Sequence, residues 1–193
     1  MKHLLLIRHG QTMANEKKLY CGWTDVPITE EGEKKLRDLK HSSIYPDISK
    51  YHVFTSGLLR TEQTLQILFG NVKHKKLPEF REMNFGDFEM QSYEELKLNG
   101  LYKMWVDGDN KYKKTPGGES NAEVARRVKK GMIKLSFLPG DVLVVCHGGP
   151  ISGLMANFFP DENKNMYEWQ PDGGRGYLIT FKRGKAISYV PVP

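Results

Sequence analysis

Cysteine is scarce. The chain of 193 residues has two thiols, Cys21 and Cys146, far apart and without the paired spacing of a zinc motif. That excludes a disulfide framework as the source of stability, and the chain is long enough to build a sizeable apolar core instead. Long hydrophobic runs are lacking too, so no stretch reads as a bilayer span. The first residues carry one lysine before a very short apolar run, which is not the pattern of a secretory leader. The expected location is therefore the cytoplasm. Internal repeats, low-complexity tracts and an interdomain linker are missing, so residues 1–193 read as one domain. No group of His, Cys, Asp and Glu stands at ligand spacing, and neither a metal nor a cofactor is expected.

Charge is plentiful. Lys and Arg number 29 against 23 Asp and Glu, a formal net charge of +6, which attracts anions such as phosphorylated metabolites or nucleic acid. The densest basic stretches are Lys73-His74-Lys75-Lys76 and Lys111-Tyr112-Lys113-Lys114. Neither has the arrangement of a nucleic-acid module, and both read as solvated surface. The expected partner is a small phosphorylated metabolite, with no nucleic acid and no membrane. The oligomeric state is not legible.

The first structured stretch organises the rest. Leu4 to Ile7 is an unbroken apolar run closed by Arg8, His9 and Gly10, which fits a strand buried on both faces. One Arg-His pair at a strand end is ordinary surface. Repetition changes its weight: Val142-Leu143-Val144-Val145-Cys146 ends in His147-Gly148-Gly149. If the two strands are neighbours, both imidazoles reach one crevice beyond the carboxyl ends, where open α/β sheets bind ligands.

Between them, apolar strands alternate with amphipathic helices, the pattern of an α/β fold. A helix is expected from Met13 towards Tyr20. Thr29 caps another, which carries Glu30 and Glu31 in its first turn and runs to about Lys40. Tyr51 to Thr55 reads as a strand, and Ser56 as the N-cap of a helix ending near Gly70 that holds Arg60 in its first turns. Val72 to Leu77 reads as a third strand. Residues 78–89 read as a loop, followed by short helical pieces over Ser92 to Leu98 and Tyr102 to Val106 and a polar loop from Asp107 to Pro116. Ser120 and Glu123 form a capping box. The helix behind it puts Val124, Val128, Met132 and Leu135 on one core-facing stripe. Two last strands, Tyr177 to Phe181 and Ala186 to Val190, flank a hairpin turn.

The segment R-H-G-x-T-x-x-N from Arg8 to Asn15, with the second His-Gly strand end, resembles the histidine phosphatase superfamily, which includes cofactor-dependent phosphoglycerate mutases. Ser56 to Thr64 is similar to the family's S-P-x-x-R-x-x-Q-T, with Gly57 where proline is common. Residues 79–89 resemble its acid loop. Thr115 to Ser120 resembles the P-G-G-E-S segment of family phosphatases. The resemblance implies a three-layer α/β/α sandwich with a mainly parallel central sheet. It also implies a phosphoryl group carried on His9, cationic support from Arg8, Arg60 and, if protonated, His147, and a general acid at Glu82, with Glu79 as the local competitor. As the acid, Glu82 must begin protonated. Two guanidinia suit a transferring phosphoryl group, because they donate paired hydrogen bonds to its oxygens. Asn15, Cys21, Gly22 and Gly148 are the expected substrate contacts.

The Cys21-to-Asp25 loop, the Arg81-to-Gly86 loop and the P-G-G-E-S segment look most like alpha-ribazole phosphatases and related small bacterial phosphatases. Mutases of the family usually carry an insert between the acid loop and the late His strand, where this chain has only a short stretch. The expected activity is hydrolysis of a phosphate monoester, with alpha-ribazole 5′-phosphate of cobalamin nucleotide-loop assembly as a candidate substrate. A broad-specificity or sugar-phosphate phosphatase and a phosphoglycerate mutase are the alternatives, and a phosphate-recognising regulatory protein is the non-enzyme one.

Overall fold

The structure is a computed structural model that describes residues 1–42, 44–108 and 111–192. Residues 109 and 110 of the polar loop expected before Pro116 lie outside the described residues. Six strands form one sheet: β1 (His3–Arg8), β2 (Tyr51–Thr55), β3 (Lys75–Lys76), β4 (Asp141–Cys146), β5 (Gly176–Lys182) and β6 (Lys185–Val192). Their spatial order is β3-β2-β4-β1-β5-β6. The first four run parallel, while β5 pairs antiparallel with β1, and β6 with β5. Pro191 lies in β6, an edge strand, the place in a sheet to which proline is confined.

The strand composition follows from the layers. Leu4 and Leu6 pack with Val142, Val144 and Cys146 on one face, and Leu5 and Ile7 with Leu143 and Val145 on the other. With both faces covered, neither strand has room for a polar alternation. Helices α2 (Glu30–His41) and α3 (Leu59–Phe69) close the second face through Leu36, Leu65 and Leu68. Helices α6 (Asn121–Ser136) and α7 (Gly148–Phe158) close the first through Val124, Val128, Leu135, Ile151 and Met155. The result is the expected three-layer sandwich.

Several local expectations shift. The helix expected from Met13 is one turn, α1 (Met13–Glu16), and the chain turns out at Lys18 with φ 53°. The third strand shrinks to Lys75–Lys76, since Lys73 to Lys76 offers charge rather than apolar alternation. The helical pieces before α6 are α4 (Tyr93–Leu96) and α5 (Gly100–Val106). Ser56 does not cap α3. Leu58 holds the N-cap position without a side-chain bond, and Asp25 Oδ1 accepts from Leu59 N at 2.7 Å in its place. Gly57 has φ +84°, a left-handed backbone that proline cannot take, so this turn differs in shape from the family's common form. The capping box at Ser120 and Glu123 is present.

Candidate active site

The site lies where the sheet's connections part. β1 and β4 are adjacent and in register to Arg8 and Cys146. The chain leaves β1 towards α2 on one face and leaves β4 into α7 on the other. Such a topological switch opens a crevice beyond the strand ends. His9 and His147 are the next residues, and their rings stand 5.1 Å apart, edge to face. His9 N also donates to Cys146 O at 3.0 Å, tying the two ends together. The two His-Gly strand ends thus meet as expected.

His9 Nδ1 lies 2.7 Å from the carbonyl oxygen of Gly10. A carbonyl only accepts, so Nδ1 carries the proton and Nε2 keeps a free lone pair. Burial holds the imidazole well below the ordinary histidine range, and the charges of Arg60 and Arg8 push the same way. His9 is therefore neutral. Its support comes from α3: Gly10 N donates to Thr64 Oγ1 at 2.8 Å, and that hydroxyl donates to Arg60 O at 2.6 Å.

Arg60 is 1% exposed. Its Nη1 donates to Thr24 O at 3.0 Å and its Nη2 to Gly22 O at 2.6 Å, which leaves the rest of its five N–H donors unspent. The loop that supplies those carbonyls is held from behind. The Glu89 carboxylate accepts from the backbone N–H of Gly22, Trp23, Thr24 and Phe85 and from the Thr24 hydroxyl. Gly22 is required by close approach, since a Cβ there would overlap the Met83 carbonyl. Cys21 is half-buried with its thiol 3.6 Å from Thr24 O, and burial pushes the thiol's pKa up against the pull of Arg60.

Burial alone would raise the Glu89 pKa, but the bonds from Thr24 Oγ1 and the loop amides outweigh it and hold the carboxyl below its usual range. A depressed folded-state value stabilises the fold above the unfolded value, and that contribution is lost as pH falls through the folded one. Glu89→Gln is therefore expected to lose about 1–3 kcal/mol at neutral pH, the cost of weakened charge-assisted bonds. The gap from the parent should narrow on acidification. Urea unfolding of both proteins at neutral and acid pH measures it, and a gap that did not change with pH would assign the loss to packing instead.

Glu82 stands across from these cations. Its Oε1 accepts from Met83 N and its Oε2 from Gly149 N at the start of α7, each at 3.0 Å. It stands within electrostatic reach of both Arg8 and Arg60. Glu79, the competitor, turns away to pair with Lys134 on α6. The acid loop is anchored by Arg127, which the sequence reading did not single out. All five of its N–H groups are used: Nε and Nη2 on the Glu119 carboxylate, Nη1 on the carbonyls of Glu79 and Arg81, and Nη2 also on that of Glu82. Glu119, the acid of the P-G-G-E-S segment, takes a further bond from Asn84 N at 2.9 Å.

The remaining residues fall nearby with narrower parts. Arg8 Nη1 donates to Pro171 O at 2.8 Å. Asn15 spends its Oδ1 on Thr12 N and Oγ1 in the capping box of α1, so its amide N–H groups are what it can offer. Gly148 opens α7 against the Gln170 side chain. His147 is wholly buried. That burial, with the charges of Arg60, Arg127 and Arg8, holds it well below its ordinary value. The condition for a third cation, a protonated His147, is therefore disfavoured in this setting. A cleft of about 770 Å³ runs from His9 and Asn15 along Gln11 and Lys35 to Arg175, and Arg60, Glu82 and His147 do not line it. Among the described residues, no cluster of three or more His, Cys, Asp or Glu is arranged to hold a metal, and no helix is long and apolar enough to cross a membrane.

The sequence profile of the Histidine phosphatase superfamily (branch 1) matches residues 4–189. The chain is 30% identical over 177 residues to the adenosylcobalamin/alpha-ribazole phosphatase of Escherichia coli (strain K12), covering 89% of this chain and 86% of that one. It is 29% identical over 189 residues to the 2,3-bisphosphoglycerate-dependent phosphoglycerate mutase of Tropheryma whipplei (strain Twist), with 80% and 82% covered. Among solved structures, the alpha-ribazole phosphatase from Shigella flexneri superposes with a TM-score of 0.87 at 29% identity, covering 99% of this chain and 96% of that one.

Proposed function

The chain belongs to the histidine phosphatase superfamily, and from that premise we propose that it hydrolyses phosphate monoesters through a phosphohistidine on His9, with alpha-ribazole 5′-phosphate as its substrate. The observation that carries the reading is the state of His9. Its proton is committed to the Gly10 carbonyl, and Nε2 is left as a lone pair among two guanidinia.

In the first half, His9 Nε2 attacks phosphorus and the bond to the leaving oxygen breaks, while Glu82 delivers a proton to that oxygen. The phosphoryl group then rests on His9, with Arg8 and Arg60 donating to its equatorial oxygens. In the second half a water attacks phosphorus, Glu82 takes its proton, and the P–N bond breaks to release inorganic phosphate and neutral His9. The preformed hold of Gly22 and Thr24 on Arg60 supports this scheme, since a donor already in place needs no reorganisation as charge develops.

Similarity to phosphoglycerate mutases supports a second reading, in which the phosphoryl group returns to a bound sugar acid. Among the described residues, only the short helices α4 and α5 stand between the acid loop and α6, and this favours hydrolysis. A panel without added metal separates the readings: p-nitrophenyl phosphate, alpha-ribazole 5′-phosphate, several sugar phosphates, and 3-phosphoglycerate with its bisphosphate. Preference for the ribazole phosphate is expected. Even, weak hydrolysis would keep the mechanism and withdraw the substrate. Phosphoglycerate interconversion would make the chain a mutase, and inertness towards every ester would leave a phosphate-recognising regulatory protein.

A further inference from the structure

His147 holds a buried ring nitrogen with no partner among the described residues, its Nδ1. Native proteins rarely leave such an atom unsatisfied without a functional reason. The other nitrogen is well served: Nε2 lies 2.7 Å from Ser56 Oγ. The backbone fixes this meeting. Thr55 is in register with Val145, and Ser56 N donates to Val145 O at 3.1 Å, so Ser56 lies at the carboxyl end of β4, within reach of His147.

Few partners are open to the Ser56 proton. The Thr61 hydroxyl donates to Leu58 O at 2.7 Å, so it has no proton left for Ser56. Leu58 N fills one Ser56 lone pair at 3.4 Å. The single Ser56 proton can then go to Thr61 Oγ1 at 3.2 Å or to His147 Nε2 at 2.7 Å. If it goes to Thr61, the histidine carries its proton on Nε2, and Nδ1 is a bare lone pair buried beside an anion site. If it goes to Nε2, the histidine carries its proton on Nδ1. That nitrogen is then a donor with nothing else to satisfy it.

Resting on the phosphatase reading above, we propose that Ser56 is a positioning residue: its hydroxyl donates to His147 Nε2 and fixes the Nδ1–H tautomer, so that a neutral imidazole donates to the phosphoryl group on His9. The 5.1 Å between the two rings puts a phosphoryl group carried on His9 within reach of His147. A neutral donor serves better here than a cation, since two guanidinia already surround His9, and a third charge would further weaken its lone pair as a nucleophile. Ser56 therefore has a task that helix capping does not describe.

The test is ¹⁵N NMR of histidine-labelled protein, read together with kinetics on p-nitrophenyl phosphate and inhibition by orthovanadate. The parent is expected to show His147 protonated on Nδ1 and bare on Nε2. Ser56→Ala should move the proton towards Nε2, lower kcat and weaken orthovanadate roughly ten- to a hundredfold, the size of one lost hydrogen bond to a charged group. Ser56→Thr keeps the hydroxyl and should retain both the tautomer and most of the rate. A parent spectrum with the proton on Nε2 overturns the proposal, and so does Ser56→Ala with an unchanged tautomer. The parent spectrum needs neither variant to fold and no substrate. If the chain turned over no ester, the tautomer would still be decided, and the failure would belong to the earlier reading.

Discussion

His9→Ala is expected to abolish turnover, by roughly 10⁴-fold or more, and to remove any phosphoenzyme. No neighbour can take over. His147 is the other imidazole in the crevice, but its Nε2 is engaged by Ser56, and the Cys21 thiol is pushed towards its protonated form by burial. Arg8 and Arg60 can hold a phosphoryl group, but they are not nucleophiles. The loss should therefore fall on the chemical step, while inorganic phosphate still binds. Rapid quench with ³²P-labelled substrate measures it: the parent should yield an acid-labile, base-stable phosphoprotein, and the variant none. The Gly10 carbonyl loses its donor in the variant, which costs about 1 kcal/mol of stability, so circular dichroism must show the fold intact. Labelling that survived the substitution would remove His9 from the mechanism. The parent's pH profile gives a second reading. His9 must be neutral to attack, and burial with two arginines holds it well below 6.5. Activity should thus persist on the acid side past the pH where an ordinary histidine is half protonated, with no fall near 6.5 assignable to His9.

The parts of this site that were legible in the sequence are those written in consecutive residues. Leu4 to Gly10 and Val142 to Gly149 each state their own burial and their own strand end, and parallel pairing of β1 with β4 does the rest. What escaped is held by contacts between distant residues. Arg127 reaches carbonyls 45 to 48 positions away. The Ser56 hydroxyl meets an imidazole 91 positions on, so a rule for helix starts misread it as a cap. Glu89 and Glu119 left a trace, as acids inside recognisable segments, but nothing local says that one gathers the amides of a distant loop and the other an arginine. The charge state of His147 was also beyond reach, because it depends on complete burial and on cations from three different elements. The third strand is present but shorter than expected, for a local reason. Its lysines alternate with nothing apolar, and only two residues pair with β2.

Glu82→Gln should slow the reaction according to how much help the leaving oxygen needs. An alkoxide is a poor leaving group, and a positioned acid contributes on the order of 10²–10⁴ to its departure. A p-nitrophenolate leaves unaided. The ratio of alkyl to p-nitrophenyl phosphate turnover is therefore expected to fall by about that factor, whatever happens to the absolute rates. Absolute rates will not be clean. The two Glu82 oxygens accept from Met83 N and Gly149 N, and an amide has only one oxygen to replace them, so one donor is left facing a second donor. Some misplacement of the loop follows, which would lower both substrates alike and leave the ratio untouched. Glu79→Gln is the matching control. Glu79 is occupied by Lys134 on the α6 side, and its replacement should leave the ratio at the parent value. If the ratio moved with Glu79 and not with Glu82, the acid would be the other carboxylate, and the bonds from Gly149 and Met83 would be only an anchor for the loop. If Glu82→Gln lowered both substrates equally, proton delivery would lie elsewhere and Glu82 would serve only to hold α7 to the acid loop.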